Sequence, residues 1–371
     1  MNRGDTGANT ALPRTNMTGD RPLENVASCQ DLPVPKPVQV AAPEFRPGQI
    51  LDGRFFILEA VHCGGMATIY RAEDRDDGRR HVAVKVPLPK FEGAPGFFAR
   101  FQREEEVGLK LNHPLLLKFV PVGETRTRPY IVTEYLSGCT LDYIIHQRRR
   151  LPEADALRIA SVVGDALRYM HENGVIHNDL KPANIMICPD RTLRLIDFGL
   201  ASHADERRGI FGPLQTMFGT PQYMAPEQVQ NRRTDARTDI YTLGAILYEM
   251  LTGQLPFPGE DPWAFVRWRI SSDPEPPRRL NPAISAQAEE IILHAMQRKP
   301  AARYQTVTAF QAELDAPERV HVTGYSLRLK KPRWKFDLEK TQLLFGTMLG
   351  VGTIAFLVAV FFGLTHFLGR R

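Results

Sequence analysis

The sequence predicts an α+β fold in which strands come first, helices follow, and one long apolar segment lies near the C-terminus. Two runs with strand composition, 54–60 and 67–72, flank a glycine turn, and a third run covers residues 81–86. From residue 154 to 172 apolar side chains recur at helical spacing, whereas residues 343–368 are almost wholly apolar. Strands that precede helices along the chain favour the α+β class.

The composition is that of a globular protein with a mild basic excess. The 371 residues suit one large domain or two smaller ones plus tails, and a hydrophobic content of 43% allows a sizeable core. Much of the net charge of +5 lies near the C-terminus, which favours a membrane surface over nucleic acid as a partner. Because the cysteines lack metal-ligand spacing, we expect free thiols. They are Cys29, Cys63, Cys139 and Cys188.

Residues 1–47 are rich in Pro, Thr, Asn and Gly and lack sustained apolar periodicity, which predicts a disordered tail. Two interpretations stay open: a spacer, or a docking tail phosphorylated on hydroxyl side chains. No apolar stretch here is long enough for a signal peptide, so we expect this end not to be exported. The candidate hydroxyls are Thr6, Thr10, Thr15, Thr18 and Ser28.

The later elements are predicted from the same periodicities. A helix is expected over 96–111. It should end before Pro114, because proline cannot continue a helix. Ser285 is a plausible N-cap and Gly253 a plausible C-cap of two further helices. The remaining predicted elements are strands 129–133, 185–187 and 193–196 and helices 240–251, 285–297 and 306–314.

A polar cluster lies between apolar runs at residues 176–184, which read Ile-His-Asn-Asp-Leu-Lys-Pro-Ala-Asn. Asp179, Lys181 and Asn184 therefore fall on a loop held by rigid elements, where catalytic groups concentrate. The tripeptide Asp197-Phe198-Gly199 begins thirteen residues after Asn184. Upstream, the turn Cys-Gly-Gly-Met at 63–66 can present backbone N–H groups to phosphates, and Lys85 lies in the strand at 81–86.

In this order and spacing, these residues resemble the catalytic core of a protein kinase over roughly 51–314. Four sequence motifs resemble those of the bacterial branch of the eukaryotic-type, or Hanks-type, Ser/Thr kinases. They are GGMA, HNDLKPAN, GTPQYMAPEQ and TDIYTLGAILYEMLTGQLPF. The resemblance implies a bilobal protein-kinase-like fold over 51–316. A β-rich N-lobe would cover 51–134 and a mainly helical C-lobe 138–316, with ATP between them.

The resemblance also implies catalytic roles. Asp179 would accept the proton of the substrate hydroxyl, and Lys181 would steady the γ-phosphate. Lys85 would contact the α- and β-phosphates and pair with a carboxylate, for which Glu104 is the best match and Glu105 the alternative. Lysine at position 181, two residues after the catalytic aspartate, is similar to Ser/Thr rather than tyrosine kinases.

The implied cofactors are ATP and Mg²⁺, with Mn²⁺ as the alternative metal. Asn184 and Asp197 would hold the metal, since hard cations prefer oxygen ligands. Thr133 would lie at the back of the adenine pocket, and residues 134–136 would form the hinge. His62 and Ala67 stand where the family's phosphate loop has its first and third glycines. The implied nucleotide-binding residues are His62, Cys63, Gly64, Gly65, Met66, Ala67, Ile69, Ala83, Lys85, Thr133, Glu134, Leu136 and Asn184.

Asn178 departs from the pattern, because many family members carry there an arginine that pairs with a phosphate on the activation segment. Asparagine has no charge for that pairing, which predicts weak dependence on activation-segment phosphorylation, with Thr216 as the best-placed site. Thr220, in Gly-Thr-Pro, would leave room for a short acceptor side chain. Three further residues are expected to be architectural: Glu227 pairing with Arg303, and Asp239 bracing the catalytic loop.

The apolar segment 343–368 has no acidic residue, Lys or Arg and is long enough for a transmembrane helix. The preceding residues 317–342 would form a basic juxtamembrane linker. This charge asymmetry predicts a single-pass cell-membrane protein whose N-terminus and kinase domain are cytoplasmic. Gly346 and Gly350 form a small-xxx-small pair that could pack two spans, so a homodimer through this helix or the kinase domain is a further hypothesis.

The sequence therefore predicts a membrane-anchored Ser/Thr protein kinase. It would transfer the ATP γ-phosphate to Ser or Thr hydroxyls of protein substrates, in signalling and with autophosphorylation. No nucleic-acid partner is expected. The alternative is an ATP-binding pseudokinase or membrane scaffold, which His62 and Asn178 favour. A small-molecule kinase of similar fold is a third, weaker hypothesis.

Overall fold

The computed structural model describes residue 32 and residues 43–92, 95–123, 126–203, 222–257 and 268–329. Most of the predicted tail, Thr216, Thr220 and the apolar segment 343–368 lie outside the described residues. Within the described ranges, no helix combines the length and apolar character needed to cross a membrane.

The N-terminal lobe is built on one antiparallel sheet whose strands follow chain order. Its core consists of apolar side chains on alternate positions, among them Phe55, Ile57 and Val84, each with no exposed surface. The strands are β1 (Ile50–Leu51), β2 (Phe55–Cys63), β3 (Ala67–Asp74), β4 (Arg80–Pro87) and β5 (Ile131–Glu134).

All four predicted strands of this sheet differ from their expected bounds, and the differences in β2 and β5 have a structural reason. Strand β2 continues past residue 60 because two register shifts against β3 interrupt the alternation, after which Cys63 still pairs with Thr68. Strand β5 includes Glu134, which was expected in the hinge. Glu134 pairs with Val82 in the sheet, and its N–H donates to the carbonyl of Lys118 at 2.9 Å.

Two helices complete the N-terminal lobe: α1 (Pro89–Glu92) and α2 (Pro95–Lys110). The rings of Phe91, Phe97 and Phe101 stack in a row with centroid separations of 5.4 and 5.9 Å, which ties α1 to α2. Helix α2 thus carries its glutamates on a rigid element beside the sheet.

The C-terminal lobe is mainly helical, as predicted. Its described helices are α3 (Leu141–Arg148), α4 (Glu153–Glu172), α5 (Pro226–Val229), α6 (Ala236–Thr252), α7 (Pro277–Leu280), α8 (Ala286–Ala295), α9 (Val307–Asp315) and α10 (Tyr325–Arg328). Helices α4 and α6 run through the core, which explains why so few of their residues reach solvent.

The helix ends carry the capping groups that the sequence indicates. The Ser285 hydroxyl accepts the N–H of Ala288 at 3.0 Å at the start of α8. Gly253 ends α6 with φ +71°, and a Cβ there would lie 2.1 Å from the carbonyl oxygen of Arg149, so only glycine fits. Helix α6 begins earlier than predicted, because Asp235 caps it by accepting the N–H of Arg237.

Five short strands position the loops between the lobes. Strands β6 (Cys139–Thr140), β8 (Ile185–Ile187) and β9 (Leu193–Leu195) form one antiparallel sheet, and β7 (Val175–Ile176) pairs with β10 (Ser202–His203). Cys139 is disulfide-bonded, which corrects the expectation that the cysteines are all free thiols. Cys63 and Cys188 are free.

A buried ion pair joins helix α5 to Arg303 in the C-terminal lobe. The guanidinium of Arg303 donates to both carboxylate oxygens of Glu227, at 2.8 and 2.7 Å. It also donates to the carbonyl of Arg237 at 2.8 Å, and Glu227 accepts the hydroxyl of Thr238 at 2.8 Å. The pair that the sequence predicted is thus fully satisfied, as a buried charge requires.

Candidate active site

Strand β4 and helix α2 bring Lys85 and Glu104 together. The Lys85 ammonium donates to Oε1 of Glu104 at 2.6 Å and to Oε2 at 2.7 Å. Burial alone would lower the pKa of Lys85, but the carboxylates of Glu104 and Asp197 raise it above its ordinary value. The lysine therefore stays cationic, and Glu104 of helix α2 in the same lobe fixes its orientation.

The other two glutamates of α2 have different partners. Glu105, the alternative partner of Lys85, instead binds Arg126 at 2.6 Å. Glu106 pairs with Lys110 at 2.6 Å on the exposed face of the helix. The three consecutive glutamates thus point in three directions, and only Glu104 reaches the lysine of β4.

We expect Glu104→Gln to lower kcat/KM for ATP by about tenfold to a hundredfold. The amide preserves the size but removes the charge that orients Lys85, and such charge-assisted hydrogen bonds are worth about 1.5–3 kcal/mol. Steady-state kinetics against ATP measures the change. Glu106→Gln on the same helix is the matched control and should leave kcat/KM within about twofold. Equal kinetics for both variants would contradict the assignment.

The turn between β2 and β3 has the geometry of a tight hairpin. The N–H of Gly64 donates to the carbonyl of Ala67 at 2.9 Å, and a Cβ on Gly65 would meet nothing within 4 Å. The His62 side chain belongs to the exposed end of β2. The loop therefore keeps glycine at its tip although His62 and Ala67 replace flanking glycines.

The polar residues of the loop 176–184 converge beside β7. Lys181 Nζ lies 3.0 Å from Oδ2 of Asp179, and the amide of Asn184 donates to the backbone carbonyl of Asp179 at 2.9 Å. Burial raises the pKa of Asp179 above its ordinary value, and Lys181 opposes that shift. A carboxylate with a raised pKa beside a cation is suited to receive a proton.

Asp197 faces the same space from the segment after β9. Its Oδ1 accepts the N–H of Gly199 at 3.1 Å and lies 3.9 Å from Lys85 Nζ. The backbone of Asp197 adopts φ +74°, a left-handed conformation that Asp tolerates better than most residues. Burial would raise the pKa of Asp197, but Lys85 and Lys181 lower it below its ordinary value. The group is therefore an anion at neutral pH.

These donors fit a magnesium–nucleotide complex. Because the Asn184 amide nitrogen is committed to Asp179, its oxygen is the atom left for a cation, and Asp197 adds an ionised carboxylate. Among the described residues, no group of three or more His, Cys, Asp and Glu could hold a metal alone. A site of this kind needs oxygens from the nucleotide and water, as magnesium sites for phosphates do.

Asp239 braces the catalytic loop from helix α6. Its two carboxylate oxygens accept the backbone N–H groups of His177 and Asn178, both at 2.9 Å, and one of them also contacts His171 Nε2 at 2.7 Å. Burial would raise the pKa of Asp239, but these hydrogen bonds and His171 lower it below its ordinary value. The backbone of the loop is thus fixed by an ionised, buried side chain.

A row of rings joins the loop to helix α2. The ring of Phe198 lies 6.0 Å from His177 and 5.8 Å from Phe119. The ring of Phe119 in turn occupies the space beside Gly108, where a Cβ would lie 2.3 Å from the ring. A glycine on the helix is therefore matched by a large side chain opposite it, a fit that no local sequence pattern indicates.

We expect Gly108→Ala to destabilise the fold by about 1–3 kcal/mol, because the added methyl cannot be placed without moving Phe119. Urea unfolding measures the loss. Gly96→Ala is the matched control on the same helix, since a Cβ there meets nothing within 4 Å. The double variant Gly108→Ala/Phe119→Leu should recover part of the stability. A single variant as stable as the parent would contradict the close fit.

Comparison with known proteins agrees with this geometry. A family profile described as protein kinase domain matches residues 57–314. The chain therefore belongs to the protein kinase family. The serine/threonine-protein kinase PknB of Mycobacterium tuberculosis is 36% identical over 298 residues, which cover 79% of this chain and 46% of that kinase.

Other relatives are similar to the same extent. PknB of Mycobacterium leprae is 37% identical over 307 residues, which cover 79% of this chain and 49% of that kinase. A probable serine/threonine-protein kinase of Clostridium perfringens is 35% identical over 268 residues, which cover 72% of this chain and 39% of that kinase. The chain spans less than half the length of these curated relatives.

Proposed function

We propose that this protein is a Ser/Thr protein kinase that transfers the γ-phosphate of ATP to hydroxyls of protein substrates, including its own. The observation that carries the proposal is the convergence of two cation–carboxylate pairs around Asp197. Lys85 is held by Glu104, Lys181 lies against Asp179, and the ammonium groups of both lysines lower the pKa of Asp197.

Each residue has a defined part in the transfer. Lys85, fixed by Glu104, binds the α- and β-phosphates of the nucleotide. Asp179 orients the acceptor hydroxyl and takes its proton, while Lys181 holds the γ-phosphate as charge develops. Asn184 and Asp197 provide oxygen ligands for Mg²⁺, which when bound neutralises negative charge on the phosphates.

The similarity to PknB and the lysine at position 181 favour Ser and Thr over Tyr as acceptors. The test incubates the full-length chain in detergent with labelled ATP, Mg²⁺ and a generic basic protein, followed by phosphoamino-acid analysis. Labelled phosphoserine or phosphothreonine is expected on the substrate and on the kinase. Asp197→Asn is the control and should give no label.

Three other outcomes would change the assignment. Nucleotide-induced thermal stabilisation without any transfer would select the alternative, an ATP-binding pseudokinase or scaffold. Labelled phosphotyrosine alone would overturn the acceptor class. The absence of both phosphate transfer and nucleotide-induced stabilisation would contradict nucleotide binding at this site.

We further propose that the kinase is anchored in the cell membrane by residues 343–368, with the kinase domain on the cytoplasmic side, and acts in signalling. The support is the uncharged apolar run and the basic residues before it. Carbonate extraction of membranes tests this anchor. The full chain should stay in the pellet, whereas a chain ending at residue 329 should be released. Release of both would contradict the anchor.

A further inference from the structure

Arg126 lies in the chain between helix α2 and strand β5, and its guanidinium is bound to the backbone around it. Nε donates to the carbonyl of Gly123 at 3.3 Å, Nη1 to that of Tyr130 at 2.8 Å and Nη2 to that of Val122 at 3.4 Å. The guanidinium also lies 5.5 Å from the centroid of the Tyr130 ring, which belongs to the apolar core of the N-terminal sheet. The side chain is therefore fixed to the sheet side of the lobe.

The same guanidinium binds helix α2. Nη2 donates to Oε1 of Glu105 at 2.6 Å, and Nη1 donates to Oε2 at 3.1 Å. The two side chains are 21% and 17% exposed, so solvent and salt screen this pair less than a surface pair. Two parallel charge-assisted bonds set a direction as well as a distance. The contact therefore fixes one point on the surface of the helix relative to the sheet.

This contact determines how α2 is rotated about its axis. Glu104 and Glu105 are successive residues of the helix, so their side chains point about 100° apart. Lys85 of β4 binds Glu104 at 2.6 and 2.7 Å, whereas Arg126 binds Glu105. Because the two contacts lie in different directions, a rotation of the helix would break at least one of them. Without Arg126, Lys85 alone would hold this part of the helix.

Arg128, two residues further along, holds the preceding helix. Its Nη2 donates to Glu92 of α1 and to the carbonyl of Pro87 at 3.3 Å, and its side chain is 14% exposed. Phe91 of α1 stacks on Phe97 of α2, so α1 and α2 move together. Both helices are thus attached to the short stretch of chain before β5.

We propose that Arg126 is a positioning residue for the Lys85–Glu104 pair, because it holds α2 in the rotation that presents Glu104 to Lys85. Among its described contacts Arg126 touches neither Lys85 nor Glu104, so it acts through the setting of the helix. The catalytic consequence rests on the proposed kinase function, in which Lys85 binds the nucleotide phosphates. The attachment of the helix to the sheet does not.

The first test measures steady-state kinetics of the full-length chain in detergent. Arg126→Met should lower kcat/KM for ATP by about fivefold, which is less than the effect of Glu104→Gln, with KM for the protein substrate within about twofold. Lys110→Gln removes the Lys110–Glu106 pair on the exposed face of the same helix and should change neither value. Parental kinetics for Arg126→Met, or an equal loss in Lys110→Gln, would overturn the proposal.

A double-variant comparison shows whether Arg126 acts through Glu104. In a chain that already carries Glu104→Gln, adding Arg126→Met should lower kcat/KM by less than about twofold, because the pair that Arg126 positions is already broken. Glu105→Ala, which leaves the backbone contacts of Arg126 intact, should reproduce the loss seen in Arg126→Met. A further fivefold loss in the Glu104→Gln chain would indicate a general structural role and overturn the positioning role.

Hydrogen exchange measures the attachment of the helix without catalysis. In nucleotide-free protein, Arg126→Met should raise the exchange rates of α2 amides severalfold and leave those of α4, in the other lobe, unchanged. Unchanged exchange in α2, or an equal rise in α4, would overturn the role even in an active kinase. Faster exchange confined to α2 in a chain that transfers no phosphate would support the attachment and refute only the proposed function. If Arg126→Met fails to fold, Glu105→Ala carries the same comparison.

Discussion

Asp179→Asn is expected to lower kcat by about 10²–10⁴, the usual contribution of a positioned general base. The asparagine keeps the shape of the side chain but cannot take the proton of the acceptor hydroxyl. Lys181, whose ammonium lies 3.0 Å from Oδ2 of Asp179, would also lose its negatively charged partner. Single-turnover transfer of labelled phosphate to a protein substrate measures the rate.

Binding should separate from chemistry in this variant. Because Lys85, Glu104 and Asp197 are untouched, nucleotide with Mg²⁺ should still raise the melting temperature as in the parent. Asp190→Asn is the matched control, since that aspartate belongs to an exposed turn and bonds to Thr192. A variant that keeps parental kcat would remove Asp179 from the mechanism.

Arg303→Met is expected to cost about 3–5 kcal/mol of unfolding free energy, the typical penalty for leaving a buried charge without its partner. The Arg303 side chain is fully buried, and that of Glu227 is 6% exposed. Methionine fills much of the volume but leaves the Glu227 carboxylate with only the hydroxyl of Thr238 among the contacts described for it. Urea unfolding of the variant and the parent measures the difference.

Arg319→Met is the control for this prediction, because that side chain is 85% exposed and its loss should change stability by less than about 0.5 kcal/mol. Arg303→Met/Glu227→Gln should regain part of the loss, since the glutamine is neutral. If the double variant were no more stable than the single one, the unpaired charge would not be the cause.

Much of the fold could be predicted because its signals are local. The apolar period of α4 and the hydroxyl of Ser285 at the start of α8 depend only on neighbouring residues. Strands β7 and β10 were missed because two residues carry no periodic signal. Helix α6 was placed too late because its apolar run hides the cap at Asp235.

The candidate site was predictable as a set of residue types but not as a set of contacts. Spacing singled out Asp179, Asn184 and Asp197, yet nothing local shows that the amide of Asn184 donates to the carbonyl of Asp179. The match of Gly108 to Phe119 joins a helix to the chain after it, and a glycine alone gives no hint of the ring opposite. Such complementarity arises only when the chain folds and brings the two residues together.

The Gly108–Phe119 match has a consequence for inhibitor chemistry. Phe119 forms a bridge with Thr133, the small residue assigned to the back of the adenine pocket, and its ring fills the volume that a side chain on α2 would otherwise take. The family resemblance implies that Thr133 lies at the back of the adenine pocket. In that arrangement a compound that extends past Thr133 toward α2 would meet the ring of Phe119, and an aryl substituent would suit that neighbour better than a branched alkyl group.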